Sequence, residues 1–229
     1  LRLNSAMLFA MGFIGIFVIG GISGVMLAAV PFDIHVHDTY FVVAHLHYVL
    51  FGGSVLGIFA GYYHWFPKIT GRMVNETLGK IHFVLTIVGM NMTFLPMHKL
   101  GLMGMNRRIA QYDPKFTSLN EICTYGSYIL AVSTFPFIIN IIWSWMAGKK
   151  ANNNPWDSLT LEWMTTSPPA IENFEAHPFL LVGPYEYGTE RAKQVVALSH
   201  TDKPFTNAKS PAPPRDDDES YPTIAAEAG

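Results

Sequence analysis

The chain has 229 residues, 50% of them hydrophobic and 14% charged, with a formal net charge of −2. Near-neutral charge with no basic patch interleaved with aromatics gives no electrostatic footprint for nucleic acid. A lone cysteine, Cys123, excludes an intramolecular disulfide framework or a cysteine-based zinc site and reads as a small buried apolar residue.

The averages hide two parts: residues 1–147 are mostly apolar, and residues 188–229 are polar and rich in Pro, Asp and Lys. The opening LRLNSAMLFA lacks an initiator Met, a charged n-region and a small-residue cleavage site, so it reads as a chain entered in its middle and not as a signal peptide. Residues 4–30 are the first predicted transmembrane helix, since the stretch from Ala6 to Val30 is uncharged and exceeds the roughly 20 apolar residues a bilayer requires. Within it Gly20 and Gly24 form a small-xxx-small pair that lets another helix come close. The second predicted helix, 38–66, carries His45 and His47 and ends in Tyr62-Tyr63-His64-Trp65-Phe66-Pro67, an aromatic belt in which His64 is an interfacial residue.

A short polar turn, 68–76, leads to a third predicted helix over 77–97, with His82 one turn in and placed to bond a neighbouring helix. A loop holding Arg107 and Arg108 follows, and the fourth predicted helix covers 119–147. Ser118-Leu119-Asn120-Glu121 fits a capping box at its start, and Pro136 predicts a kink. Residues 151–187, rich in Pro and aromatics, predict an ordered strap on the inner membrane face, and 188–229 a disordered tail. Lys and Arg collect on the cytoplasmic side of membrane proteins. Arg2, Lys68, Arg72, Lys80, Lys149 and Lys150 share one side, against Lys99, Arg107, Arg108 and Lys115 on the other. That bias places the turn after the second helix inside and the His37 end outside.

The chemistry concentrates in Asp33 to Val49, DIHVHDTYFVVAHLHYV. Ionisable side chains at membrane depth are expensive and functional by default. Residues two apart on a helix point about 200° around the axis from each other, so His45 and His47 face opposite sides of one rod. They cannot share one metal ion, but each can hold a different one. Two haems flanking the helix satisfy that geometry, because each iron takes a single axial imidazole from this side. The competing reading is a pair of packed histidines bonded to carbonyl groups.

His37-Asp38-Thr39-Tyr40-Phe41-Val42-Val43-Ala44-His45-Leu46-His47-Tyr48 resembles the core motif of subunit I of the haem-copper oxidases of the cytochrome c oxidase type. The resemblance extends through His64-Trp65-Phe66-Pro67, Gly79-Lys80-Ile81-His82-Phe83, Asn91-Met92-Thr93-Phe94 and Gly104-Met105-Asn106-Arg107-Arg108. It reaches Pro155-Trp156, Leu161-Glu162-Trp163 and Ser167-Pro168-Pro169 and covers roughly residues 4–185. It implies an all-α membrane protein whose four helices match the last four of the family's twelve, followed by a cytoplasmic C-terminal extension.

By this resemblance His45 is the proximal ligand of the high-spin haem where oxygen is reduced, and His47 is one of two axial ligands of the low-spin haem. His37 and Asp38 match a magnesium or manganese site between subunits I and II; an acidic helix N-terminus stabilised by the macrodipole is the alternative. Arg107 and Arg108 match the pair that binds haem propionates, a task suited to planar guanidinium forks. His35 is an extra histidine, read as a surface residue. The implied cofactors are two haems, of types a and a3, a copper centre (CuB) and Mg or Mn. The implied partners are the remaining part of subunit I, subunits II and III, cytochrome c, oxygen and the lipid membrane, and the implied location is a bacterial cytoplasmic membrane.

Counterparts of the copper-ligating histidines, the cross-linked tyrosine and the second low-spin-haem ligand are not found in this sequence. The chain therefore reads as a C-terminal fragment or one piece of a split subunit, inactive by itself. Two rival readings use the same histidines: a quinol oxidase, against which the His-Asp-Thr-Tyr order argues, and a dihaem electron carrier without oxygen chemistry. A transporter whose histidines are simply packed is a third.

Overall fold

The computed structural model describes residues 2–174 and 182–200. By internal contacts the chain divides into two units, Leu1–Ala151 and Asn152–Gly229. The first is built from four helices long and apolar enough to cross a membrane.

Helix α1, Ser5–Ala28, starts where the Asn4 side chain accepts the Met7 N–H at 2.9 Å, as an N-cap should. Phe9, Ile16, Gly20 and Ser23 are buried along one face. Ile14, Val18, Ile22 and Val25 are exposed along the other, which suits a helix solvated by lipid or by further helices. A short helix α2, Val30–Val36, leads to Thr39, whose hydroxyl caps α3, Tyr40–Leu50. The helix continues through a π-helical turn, Phe51–Val55, into α4, Leu56–Thr70, so that the second span runs unbroken from Tyr40 to Thr70. Helix α5, Glu76–Leu102, and helix α6, Thr117–Ala147, complete the spans.

The core of this unit is aromatic. Phe9, Tyr48, Leu56, Tyr63, Phe66, Met90 and Phe94 are buried together. His82 lies among the rings of Phe9, Phe59 and Phe137 and takes its polar partner from α4, with Tyr63 Oη 3.0 Å from Nδ1. That is the expected bond to a neighbouring helix, and it satisfies a polar group that hydrocarbon cannot. Helices α5 and α6 are tied by Thr86 Oγ1 donating to Ser133 Oγ at 3.1 Å and by the Asn140 amide donating to Asn75 O at 2.9 Å.

Several expectations change. The capping box at Ser118 does not form: α6 starts at Thr117, with no side-chain cap at Phe116. A 3-10 turn, Pro114–Phe116, feeds it directly, and that turn is capped by Asp113, which accepts the Lys115 N–H at 3.0 Å. A backbone already coiled into the helix leaves no extended residue for a serine cap to occupy. Helix α5 also runs six residues past Pro96 to Leu102, so that its last turn, at Gly101, packs against Phe41 at the start of the histidine-bearing helix.

In the second unit the stretch expected to be a disordered tail contains a helix, α7, Glu190–Ser199, capped by Thr189. Leu159, Met164, Val182, Ala192 and Val195 form a small apolar core around it. The period of Ala192, Val195 and Val196 is helical, but the surrounding polar and Pro-rich composition masks so short an apolar stripe. Residues 201–229 of the predicted tail, and 175–181 of the predicted strap, lie outside the described residues.

Candidate functional site

The two histidines of α3 face different neighbours. His45 turns toward α1, where its Nδ1 lies 3.0 Å from Gly20 O and 3.0 Å from Ser23 Oγ. Ser23 Oγ itself donates to Gly20 O at 2.8 Å. A carbonyl oxygen only accepts, so Nδ1 is the protonated nitrogen of His45 and Nε2 carries the lone pair. The small-xxx-small pair makes this contact possible: a Cβ on Gly24 would sit 2.8 Å from His45 Cε1.

His47 points the other way. Its Nδ1 donates to Val43 O at 2.7 Å, one turn back on the same helix. Its ring stacks on Phe94 of α5, with centroids 4.2 Å apart and planes 15° from parallel. The same reasoning places the lone pair on Nε2. Among the described residues neither Nε2 meets a hydrogen-bond partner. Metal-ligating histidines are held this way, with one ring nitrogen donating to a carbonyl to fix tautomer and orientation and the other left as the donor atom. The π-helical turn begins four residues after His47, and π-bulges recur at functional sites.

His37 and Asp38 stand at the α2–α3 corner, beside the loop that carries the arginines. Backbone pairing joins the two segments: Arg107 N–H donates to Asp38 O at 2.9 Å and Tyr40 N–H to Met105 O at 3.0 Å. Glycine at 101 allows this approach, because a Cβ there would collide with the Phe41 amide nitrogen. The Arg107 guanidinium grips Asp38 Oδ1, through Nε at 2.7 Å and through a second, closer contact from Nη2. Hydrogen bonding and then charge from Arg107 hold the Asp38 carboxyl below its ordinary range, with smaller contributions from His37 and Arg108. Asp38 Oδ2 is left beside His37 Nε2 at 3.7 Å, and His37 Nδ1 lies 3.5 Å from Asp33 Oδ2. Asp38 and Arg108 both adopt left-handed backbone, φ +56° and +61°, a conformation that is uncommon outside glycine and recurs at constrained sites. His35 is exposed, as expected.

Among the described residues no group of three or more His, Cys, Asp or Glu converges as a metal site. Sequence reasoning placed Asp38 on a cation and Arg107 on propionates; it did not foresee that the two would pair. It also missed Ser23 and Phe94, which steady the two imidazoles. The Gly20-Gly24 spacing signalled a close helix contact, but nothing in it named His45 as the group received.

Residues 1–129 match the family described as cytochrome c and quinol oxidase polypeptide I. The chain belongs to that family. All six site residues, His37, Asp38, His45, His47, Arg107 and Arg108, fall in the matched stretch. Cytochrome c oxidase subunit 1 of Synechocystis sp. is 66% identical over 190 residues, covering 83% of this chain and 34% of the relative. The same subunit of Thermostichus vulcanus is 62% identical over 203 residues, 89% of this chain and 37% of the relative. That of Bacillus subtilis is 45% identical over 182 residues, 78% of this chain and 29% of the relative. The chain thus spans about a third of the length of the first two relatives. A haem-copper terminal oxidase dimer solved by cryo-electron microscopy shares the fold, with a TM-score of 0.54, 23% identity, and coverage of 63% of this chain and 27% of that one. Membership of this oxidase family and the four spans make this a multi-pass membrane protein.

Proposed function

We propose that this chain forms part of the catalytic subunit of a terminal respiratory oxidase, a cytochrome c oxidase of a bacterial cytoplasmic membrane, and gives one axial ligand to each of two haems. The observation that carries the reading is the posture of the two imidazoles: opposite faces of α3, Nδ1 of each on a carbonyl, Nε2 of each free. The haems, of types a and a3, supply the redox chemistry when bound, in concert with a copper centre whose ligands come from outside this chain.

His45 Nε2 would hold the oxygen-reducing haem, with Gly20 O and Ser23 Oγ stopping the imidazole rotating. His47 Nε2 holds the electron-carrying haem, and the Phe94 ring fixes its plane. On a helix rising 1.5 Å per residue His45 and His47 are about 3 Å apart along the axis, so the two groups they would hold would be neighbours. Arg108, exposed and making no hydrogen bond or close ion pair among the described residues, would meet a propionate, while Arg107 couples the same corner to Asp38. His37 and Asp38 Oδ2 offer two donors suited to a hard cation such as Mg or Mn, which also keeps water ligands. Electrons come from cytochrome c, oxygen is reduced to water, and the reaction is coupled to proton translocation in a complex with subunits II and III and the rest of subunit I. The His-Asp-Thr-Tyr order and the relatives named as cytochrome c oxidase subunit 1 favour cytochrome c over quinol as donor.

The test is spectroscopic, on the assembled complex. His45→Leu is expected to remove the high-spin, carbon-monoxide-reactive haem signal and His47→Leu the low-spin one. Retention of both signals in both variants refutes the assignment. The purified 229-residue chain alone is expected to take up no oxygen; measurable uptake overturns that part.

A further inference from the structure

At the end of α6 opposite the histidine corner, the segment between α4 and α5 folds back against the chain leaving α6. Met73 N–H donates to Lys149 O at 2.8 Å, Ala151 N–H to Gly71 O at 2.9 Å, and the Arg72 guanidinium to Gly148 O at 2.8 Å. These bonds frame a cavity of about 370 Å³ lined by Met73, Asn75, Glu76, Trp143, Ser144 and Lys149, among others. That volume lies within the roughly 300–1,000 Å³ of ordinary ligand pockets.

Most polar groups in the cavity are already engaged. Ser144 Oγ donates to Asn140 Oδ1 at 2.8 Å, and the Asn75 side chain caps the amides of Thr77 and Leu78. Glu76, which also lines the cavity, is held by α1, its Oε2 accepting from Ser5 N at 2.8 Å and Ser5 Oγ at 2.7 Å. What remains is a cation and an indole. Lys149 is exposed and has no ion-pair partner among the described residues, and Trp143 is 61% exposed. Phe135, Ile139, Ile142 and Met146 stand exposed along one stripe of α6 that lies beside Trp143, with Ile139 and Met146 one turn to either side of it, and continues into the membrane-spanning part of the helix.

We propose that this cavity holds the headgroup of an anionic phospholipid. Lys149 meets the phosphate, the Trp143 indole sits at the water boundary with its N–H toward the ester region, and an acyl chain lies along the Ile139–Ile142–Met146 stripe. Each part answers one part of the ligand: charge to charge, an amphipathic ring at the interface, hydrocarbon to hydrocarbon. The positive-inside bias puts this end of the bundle in the cytoplasmic leaflet, where anionic lipids collect. A free phosphate matches the lysine but leaves the stripe unused.

The test uses the assembled oxidase exchanged into phosphatidylcholine nanodiscs with a trace of spin-labelled phosphatidylglycerol. A motionally restricted signal is expected, displaced by unlabelled phosphatidylglycerol but not by phosphatidylcholine or inorganic phosphate. Lys149→Gln should weaken binding about five-fold, the worth of one lysine near an anionic lipid. Lys150→Gln, which removes a neighbouring charge that does not line the cavity, should leave it unchanged. Unaltered haem content in each variant establishes that the complex is intact. Equal binding by Lys149→Gln and the parent, equal weakening by Lys150→Gln, or displacement by inorganic phosphate each overturns the proposal.

Discussion

The contact between α1 and His45 makes a sharp prediction at Gly24. An alanine there would place its Cβ 2.8 Å from His45 Cε1, against the roughly 3.5–4.0 Å that carbon atoms prefer. The ring cannot swing aside without leaving Gly20 O, 3.0 Å from its Nδ1, so the helices must part by about 0.7–1.2 Å. That displacement takes the Nδ1 bond beyond hydrogen-bonding range. Overpacking costs about 1–3 kcal/mol and the bond about 0.5–1.5 kcal/mol, while replacing a helical glycine returns up to about 1 kcal/mol. The net expectation is a loss of about 0.5–3.5 kcal/mol, with the high-spin haem spectrum shifted because its ligand is no longer oriented. At Gly21, in the same helix turn, an added Cβ would meet nothing within 4 Å, so Gly21→Ala should be neutral or slightly stabilising. The assay is thermal loss of haem absorbance from the assembled complex, run on both variants. If Gly24→Ala matches Gly21→Ala in stability and spectrum, the α1 contact does not position His45.

Further outcomes follow from the corner and from the second unit. Arg108→Ala is expected to loosen the haem and shift its potential, and unchanged redox titrations would count against that role; Arg107→Ala is expected to release Asp38. Asp38 is held below the ordinary carboxylate value of about 3.9, chiefly by Arg107. A depressed carboxyl contributes stability that is present above the unfolded value and lost only as pH falls through the folded one. Isotope-edited infrared spectra should thus show Asp38 protonating at lower pH in the parent than in Arg107→Gln. Equal protonation midpoints in the parent and Arg107→Gln contradict the ion pair. In the second unit, Leu159→Ala removes a side chain that is 2% exposed and should cost about 2–5 kcal/mol locally. Limited proteolysis of the complex should then cut near α7 much faster than in the parent; equal rates mean that the helix is not held by this core.

Much of this protein is legible along the chain. The four spans follow from uncharged apolar runs, because a bilayer rewards length and hydrophobicity without asking which residues touch. The opposite facing of His45 and His47 follows from helical geometry alone, and the bond between His82 and its neighbouring helix could be foreseen because a buried imidazole requires one. Helix ends were less readable. The last turn of α5 past Pro96 and the short α7 pack against segments distant in sequence, and the 3-10 entry to α6 rests on a cap by Asp113 just ahead of it.

The sequence by itself determined the membrane class, the placement of two imidazoles on two faces, and a motif set dense enough to identify the family. Only the tertiary structure decided which nitrogen each imidazole offers, since that depends on Gly20 O coming from another helix for His45 and on the rotamer that reaches Val43 O for His47. It also decided that Asp38 and Arg107, 69 residues apart, form one unit. Ion pairs and hydrogen bonds between distant segments carry no periodicity for a sequence to display; they exist only once packing has brought the partners within about 3 Å of each other.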